Sequence, residues 1–310
     1  MPTDVDALTP LAAELAARLP GRVETDAPFG AATTWRVGGP AAVLVRVAAV
    51  ADLAVLASTV PRSVPRVVLG RGSNVLVADA GFAGVVVVLG AGFETVTVGV
   101  DAVVAGGATA LPVLARQCAV AGRAGLGFYV GIPGSVGGAV RMNAGGHGRE
   151  TVEVLVDATV ADLAGTGEPA VRPVGTLDLG YRHSALTDDD VVVAARFRVT
   201  EGDPDVLREE LREVVRWRTE HQPGGANAGS VFRNPPGDAA ARLIDREAGL
   251  RGLRVGGAVV SEKHANFIQA ESGATAADVH QLLELVRDRV EAATGVRLVP
   301  EVRRIGFEEP

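Results

Sequence analysis

Six glycines fall within the sixteen residues Gly131 to Gly146, GIPGSVGGAVRMNAGG, and no other stretch constrains the fold of this 310-residue chain as strongly. Glycine loses more backbone entropy on folding than any other residue. A folded chain therefore concentrates it where φ must be positive or where the main chain lies directly against a neighbour. The run opens on a turn signal, Ile132-Pro133-Gly134, and then turns apolar through Val136, Ala139 and Val140. That is the pattern of a loop feeding a tight, close-packed segment whose bare N–H groups can face an anion. A purely structural glycine-rich turn has the same composition. The run fits neither GxGxxG after a strand nor GxxxxGK before Ser or Thr, so neither a Rossmann turn nor a P-loop is indicated.

Residue usage adds a second signal. Of the 30 lysines and arginines only Lys263 is a lysine, and the five asparagines stand at 74, 143, 227, 234 and 266, each in a glycine-rich or otherwise distinctive segment. Against a bias toward Ala, Gly, Val and Arg, the residues that persist are those whose chemistry a commoner residue cannot replace. Asparagine pairs a donor with an acceptor, and lysine carries a compact ammonium that arginine does not mimic.

The length suits two domains, or one large domain with an appendage. With 47% hydrophobic but only 4% aromatic residues, the core must be mainly Val, Leu and Ala. A net charge of −7, with arginines interspersed among acids as in Arg208 to Glu220, argues against a nucleic-acid surface. The single cysteine, Cys118, lies on an apolar helical pattern and reads as a buried, inert thiol in a reducing compartment. The first residues carry acids where a signal peptide would carry basic residues. Apolar runs such as Gly84 to Leu89 are strand-length and too short to span a bilayer. A cytoplasmic monomer acting on small molecules, without nucleic-acid or membrane partners, is expected. The histidines form no HxH, HxxxH or HExxH spacing, and no metal site is expected.

Periodicity predicts a leading helix over 6–18 and strands at Ala42–Val47, Arg66–Leu69, Gly84–Leu89, Thr95–Val100 and Ala102–Ala105. Helices are expected at Val50–Val60 and Ala110–Ala121, and further strands at Val152–Asp162 and Asp190–Thr200. After a loop at Glu201 to Pro204 come an amphipathic helix to about Arg218, a helix near Asp238–Ala248, strands near Gly257–Val260 and Phe267–Gln269, a helix at Ala274–Ala293 and a last strand at Glu301–Ile305. The pattern is α+β.

Several segments carry candidate chemistry. Leu69 to Asp79, LGRGSNVLVAD, ends a strand in small N–H-rich residues that suit a phosphate or pyrophosphate cradle, as a plain β-turn also would. Thr33 to Ala41 offers a third glycine-containing loop, whose Trp35 reads as packing. LGYRHS places Tyr181 and Arg182 at a strand edge or turn, where a surface pair is the simpler reading. NAGSVFRNP is not GxSxG, so Ser230 is no acylating nucleophile, but a held hydroxyl can donate a proton to developing charge. SEKHANFIQ groups Lys263, His264 and Asn266, which suits an anionic or sugar ligand or a solvated hairpin tip. Glu301 and Arg303 alternate along the last strand and so share a face. Such a pair is either a surface salt bridge or, in a pocket, a holder of a substrate carboxylate and a source of a proton.

Taken together, in this order and spacing, GIPGSVGG, MNAGG, YRHS, GSVFRNP, KHANFI and PEVRRIG resemble the UDP-N-acetylenolpyruvoylglucosamine reductase (UDP-N-acetylmuramate dehydrogenase) family, from about Thr33 to Gly306. The resemblance implies an FAD-binding domain of the vanillyl-alcohol-oxidase (PCMH) type over 33–200 after a lead-in over 1–32, and a C-terminal α+β substrate-binding domain over 204–306. It implies NADPH-dependent, FAD-mediated reduction of UDP-N-acetylglucosamine enolpyruvate to UDP-N-acetylmuramate for peptidoglycan, with hydride from flavin N5. By the same resemblance Ser230 is the proton donor, and Arg182 and Glu301 stabilise the enol intermediate. FAD would be held noncovalently, since no histidine stands in GRGSN, by Gly70, Arg71, Gly72, Ser73 and Asn74 in one loop. The other loop would supply Gly131, Ile132, Pro133, Gly134, Ser135, Gly137, Gly138, Asn143, Ala144 and Gly145. Tyr181, Asn234, Lys263, His264, Asn266 and Arg303 would contact the UDP-sugar.

Three residues depart from the family pattern. Arg233 stands where lysine is usual, His147 where an aromatic is usual, and Gly127 where glutamate often precedes GIPG. The chain resembles the shorter family type, without the extra tyrosine-bearing loop. An FAD-dependent oxidase of the same fold and a catalytically silent UDP-sugar binder are the alternatives. The missing flavin-linking histidine and the presence of Ser230, Arg182 and Glu301 count against them.

Overall fold

Val-rich runs with few polar interruptions form the buried strands, and runs with apolar residues three and four apart form the helices. The computed structural model describes residues 8–307, which divide into two units that interleave along the chain. The first takes the chain up to Ala27, then Ala42–Arg71 and Ala83–Arg218. The second takes Pro28–Ala41, Gly72–Phe82 and everything from Thr219.

The first unit has a four-stranded and a five-stranded sheet. The four-stranded order is Val23–Ala27, Ala41–Val47, Phe82–Leu89, Arg66–Leu69. Its last two strands run parallel, Arg66 opposite Val85. The second sheet is antiparallel throughout, in the order Pro169–Pro173, Leu155–Asp162, Asp190–Arg198, Ala102–Gly106, Val96–Val98. Helices α1 (Thr9–Arg18), α2 (Val50–Thr59), α3 (Leu111–Val120), α4 (Val136–Met142) and α5 (Pro204–His221) complete it. Two aliphatic cores form: one joins α1, α2 and the first sheet, the other α3, α4 and the second sheet. Leu207 and Leu211, one turn apart, are the buried residues of α5. Cys118 is fully buried in α3, and burial pushes its thiol up to about 11.

The second unit pairs Arg303–Ile305 in parallel with Val75–Val77 and builds a small antiparallel sheet from Arg254–Val255, Ala258–Val260 and Ile268–Ala270. Helix α6 (Ala240–Arg242) is a single turn running into a wider π-type turn over Leu243–Glu247, not the regular helix expected there. Helix α7 (Ala276–Thr294) opens on a capping box of Thr275 and Asp278 and ends at left-handed Gly295. Its buried residues Val279, Leu282, Leu283, Val286 and Val290 form one stripe. Trp35 is packed in this unit's core, 1% exposed, and its indole N–H donates to the Ile268 carbonyl at 2.9 Å.

Residues 6 and 7 of the expected leading helix lie outside the described residues. The glycine-rich run, expected as a loop, folds its middle into α4. Glu301 lies ahead of the last strand rather than in it, so it does not share a regular strand face with Arg303. Its N–H donates instead to the Val231 carbonyl at 2.9 Å, beside an isolated bridge between Phe232 and Pro300.

Candidate functional site

In the first unit, strand Arg66–Leu69 delivers Gly70 and Arg71 to an exposed turn. A Cβ on Gly70 would come within 2.5 Å of Ser135 Oγ, so the two glycine-rich loops pass in contact there. Ser135, 2% exposed, is the N-cap of α4, and its Oγ accepts the Gly138 N–H at 3.3 Å. The loop ahead of it is tied down. Gly131 is buried, Gly134 accepts from the Leu111 N–H, and only Pro133 is exposed while Ile132 is half-buried. Gly137 donates to the Gly107 carbonyl.

Gly138 is the exception. It is exposed on the first turn of α4, and a Cβ there would meet nothing nearer than Ser135 Oγ at 3.5 Å. Glycine inside a helix costs about 0.5–1 kcal/mol relative to alanine, and nothing within the protein requires it at this position. A ligand laid on bare main chain would require it, as the family resemblance implies for FAD. Replacing Gly138 by Ala is expected to leave the apoprotein as stable or more stable in thermal unfolding while lowering retention of FAD through gel filtration. Unchanged FAD retention would contradict a cofactor on this turn.

The run closes on Asn143, whose left-handed φ of 41° ends α4. This residue is expected to touch FAD, but the structure buries it completely and commits its amide within the protein. Its Nδ2 donates to Glu150 Oε2 at 3.0 Å and to the Gly180 carbonyl at 2.9 Å, and its Oδ1 accepts the Val152 N–H at 2.9 Å. Ala144 accepts from the Thr151 N–H, and Gly145 pairs with Glu150 where a Cβ would lie 2.7 Å from the Arg149 carbonyl oxygen. His147, also at positive φ, packs edge-on against Trp217, and burial together with Arg218 lowers its pKa. Gly127 opens the helical turn ahead of Gly131.

Arg182 sits in a tight turn closed by two hydrogen bonds between Gly180 and His183. Its φ is 55°, a left-handed conformation that costs a non-glycine residue about 1–2 kcal/mol. The guanidinium lies over the Tyr181 ring at 4.9 Å and 3.7 Å from Glu150 Oε1, with the side chain 16% exposed. Tyr181 itself is 46% exposed.

In the second unit, left-handed Gly72 packs on the main chain of Ala32 and Thr33, and its carbonyl accepts the Thr34 N–H. Ser73 and Asn74 are half-buried. Asn74 Nδ2 donates to the Glu301 carbonyl at 3.0 Å, and the Asn74 carbonyl accepts the Arg303 N–H at 3.0 Å. Ser230 follows Gly229, whose φ of 79° aims the chain after an Asn227 turn in which Asn227 Oδ1 accepts the Gly229 N–H. Ser230 bridges Phe267, is half-buried, and its Oγ makes no hydrogen bond among the described residues. Asn266, expected at the sugar, is 2% exposed and clamps Phe232 instead: its Oδ1 accepts the Phe232 N–H and its Nδ2 donates to the Phe232 carbonyl, at 3.0 and 2.9 Å.

Asn234 Oδ1 accepts the Ala240 N–H, and Lys263 Nζ donates to the Thr219 carbonyl. His264 packs edge-on against Phe267, ring centroids 4.7 Å apart, and burial lowers its pKa, favouring the neutral ring. Arg303 is half-buried at the start of the last strand. Among the described residues no group of His, Cys, Asp and Glu side chains is placed to hold a metal ion, and no helix is long and apolar enough to cross a membrane.

A family model described as the C-terminal domain of UDP-N-acetylenolpyruvoylglucosamine reductase matches residues 221–305, and one described as an FAD binding domain matches residues 41–168. The chain is 45% identical to the UDP-N-acetylenolpyruvoylglucosamine reductase of Acidiphilium cryptum, over 96% of this chain and 97% of that one. It is 44% identical to that of Rhodopseudomonas palustris over 96% of each. Its fold is similar to the crystal structure of the enzyme of the same name from Thermus caldophilus, with a TM-score of 0.80, 37% identity, and coverage of 92% of this chain and 99% of that one.

Proposed function

The chain belongs to the UDP-N-acetylenolpyruvoylglucosamine reductase family, and on that premise we propose that Arg182, Ser230 and Glu301 carry its chemistry. The protein is an FAD- and NADPH-dependent oxidoreductase that reduces UDP-N-acetylglucosamine enolpyruvate to UDP-N-acetylmuramate in peptidoglycan synthesis. Gly70, Arg71 and the 131–145 loop of the first unit hold FAD together with Gly72, Ser73 and Asn74, with the Gly138 turn at the pyrophosphate. The second holds the UDP-sugar, for which Lys263, His264, Asn234 and Arg303 remain the candidate contacts.

FAD held by the glycine-rich loops would supply a hydride equivalent, drawn from NADPH, to the methylene carbon of the enolpyruvyl group. The carbon–carbon double bond is thereby reduced at one end, and its electron pair passes toward the carboxylate. Arg182 meets that charge with a permanent, forked cation, which cannot be lost to deprotonation. Glu301 assists where its carboxyl carries a proton to share with the developing oxyanion. Ser230 then passes the hydroxyl proton to the carbon bearing the carboxylate and recovers one from solvent. A free hydroxyl is a poor acid, so the transfer waits until the charge has formed.

The observation that carries this reading is the Ser230 hydroxyl, uncommitted to any described residue, on a segment bonded directly to Glu301 through the Val231 carbonyl. Replacing Glu301 by Gln keeps the shape and removes the acid. Oxidation of the NADPH-reduced protein by the enolpyruvyl substrate is expected to slow about 10²-fold, with reduction by NADPH unchanged. Rapid-mixing absorbance separates the two steps, and equal rates in the variant would remove Glu301 from the chemistry.

A further inference from the structure

Each of the three residues assigned to the chemistry rests on main chain held by an asparagine side chain, and the chain contains only five asparagines. We propose that Asn143, Asn266 and Asn74 are positioning residues for Arg182, Ser230 and Glu301 respectively. The inference rests on the roles assigned above.

The Asn143 case is the most constrained. Arg182 occupies a left-handed conformation unfavourable for its residue type, and such a conformation persists only where its surroundings over-determine it. The turn is fixed at its first residue by the bond from Asn143 Nδ2 to the Gly180 carbonyl. The same nitrogen holds Glu150, the carboxylate facing the Arg182 guanidinium. One fully buried amide thus sets both the turn and the counter-charge.

Asn266 acts on the segment that follows Ser230. Its amide engages the N–H and the carbonyl of Phe232 together, and its own carbonyl accepts the Val231 N–H at 2.9 Å. Three bonds from one residue leave the three peptides after Ser230 little freedom. Asn74 takes the Glu301 carbonyl with its side chain and the Arg303 N–H with its backbone, so the residues flanking Val302 are held from one side. At Asn143 and Asn266 only a side chain with a donor and an acceptor on one short planar head makes the paired contacts; at Asn74 the side chain supplies the donor and the backbone carbonyl the acceptor. Aspartate lacks the donor, and glutamine reaches a carbon further.

The test is a set of double-mutant cycles on the FAD-loaded protein: Asn143→Gly with Arg182→Ala, Asn266→Ala with Ser230→Ala, and Asn74→Ala with Glu301→Gln. Gly at 143 preserves the left-handed backbone while removing the amide. The readouts are flavin reduction by NADPH, reoxidation by the enolpyruvyl substrate, and thermal unfolding. Each asparagine variant is expected to slow reoxidation about 10- to 100-fold, as a small misplacement of a chemical group does, with NADPH reduction by the Asn143 and Asn266 variants within about twofold. In the background lacking its partner, the asparagine replacement should cost little more, because a group that acts through another has nothing left to position. Additive losses, or equal slowing of both steps, would overturn the proposal. Should Asn266→Ala fail to fold, Asn266→Asp keeps the acceptor for Phe232 and is expected to show the same selective loss; an unimpaired Asn266→Asp would also overturn it. Normal reoxidation in Arg182→Ala, Ser230→Ala and Glu301→Gln would instead defeat the assigned roles. Normal reoxidation in the asparagine variants, with those three impaired, would defeat the positioning alone.

Discussion

Ser230→Ala is expected to reduce FAD with NADPH at the wild-type rate and then to stall, with reoxidation by the enolpyruvyl substrate slowed about 10²- to 10⁴-fold. The substitution removes one oxygen atom from a half-buried side chain whose hydroxyl makes no bond to any described residue. No protein partner is orphaned, so stability should change by less than about 0.5 kcal/mol. The bonds that fix the segment run through main-chain atoms of Val231 and Phe232 and persist in the variant. A loss confined to reoxidation therefore reports the missing proton donor rather than a moved backbone. Ser230→Cys, a stronger acid at the same position, should recover part of the rate. The check is rapid-mixing absorbance under anaerobic conditions, and a Ser230→Ala protein that reoxidises normally would exclude the hydroxyl.

Arg182→Ala carries the second large effect, about 10²- to 10³-fold on reoxidation. Alanine pays the same left-handed cost as arginine, so the Gly180–His183 turn should survive. The losses to the fold include the contact with the exposed Tyr181 ring and the Glu150 pair at 3.7 Å. An exposed cation–π contact is worth about 0.5–1 kcal/mol. Arg182→Lys keeps the charge but not the fork, and it should lie between wild type and alanine. Steady-state kcat falling more than KM rises would place the arginine on the developing charge. A rise in KM alone would make it a ground-state anchor.

The regular elements were legible because their signals are local. The stripe along α7 and the Thr275–Asp278 cap lie within a few residues of one another in sequence, and the strand Arg66–Leu69 appears with the boundaries its Val-rich run predicts. Helix α4 was not legible, since Val136-Gly137-Gly138 has poor helix propensity. The Ser135 cap and the burial of Val136, Ala139 and Val140 make it helical. The interleaving of the two units was also hidden. It depends on pairings such as Arg303 with Val75, between residues far apart in sequence and without a local signature.

The candidate chemical residues come from a resemblance to a family, and the supports proposed for them carry no local signal in the sequence. Asn143 and Asn266 were expected at ligands, whereas burial and hydrogen bonding assign them to the main chain. Their rarity in the sequence marked them as irreplaceable, but rarity does not distinguish a ligand contact from a structural one. Glu301 was expected on a strand with Arg303. The chain turns into its strand only at Arg303, because Glu301 is already bonded to Val231.

The most direct measurement is the anaerobic stoichiometry of the purified holoprotein with NADPH and UDP-N-acetylglucosamine enolpyruvate, with the product identified by mass. The expected result is one NADPH oxidised for each UDP-sugar converted, and a product heavier than the substrate by two hydrogens. An unchanged UDP-sugar, or NADPH consumed only once oxygen is admitted, would contradict the assignment of this chain as the reductase.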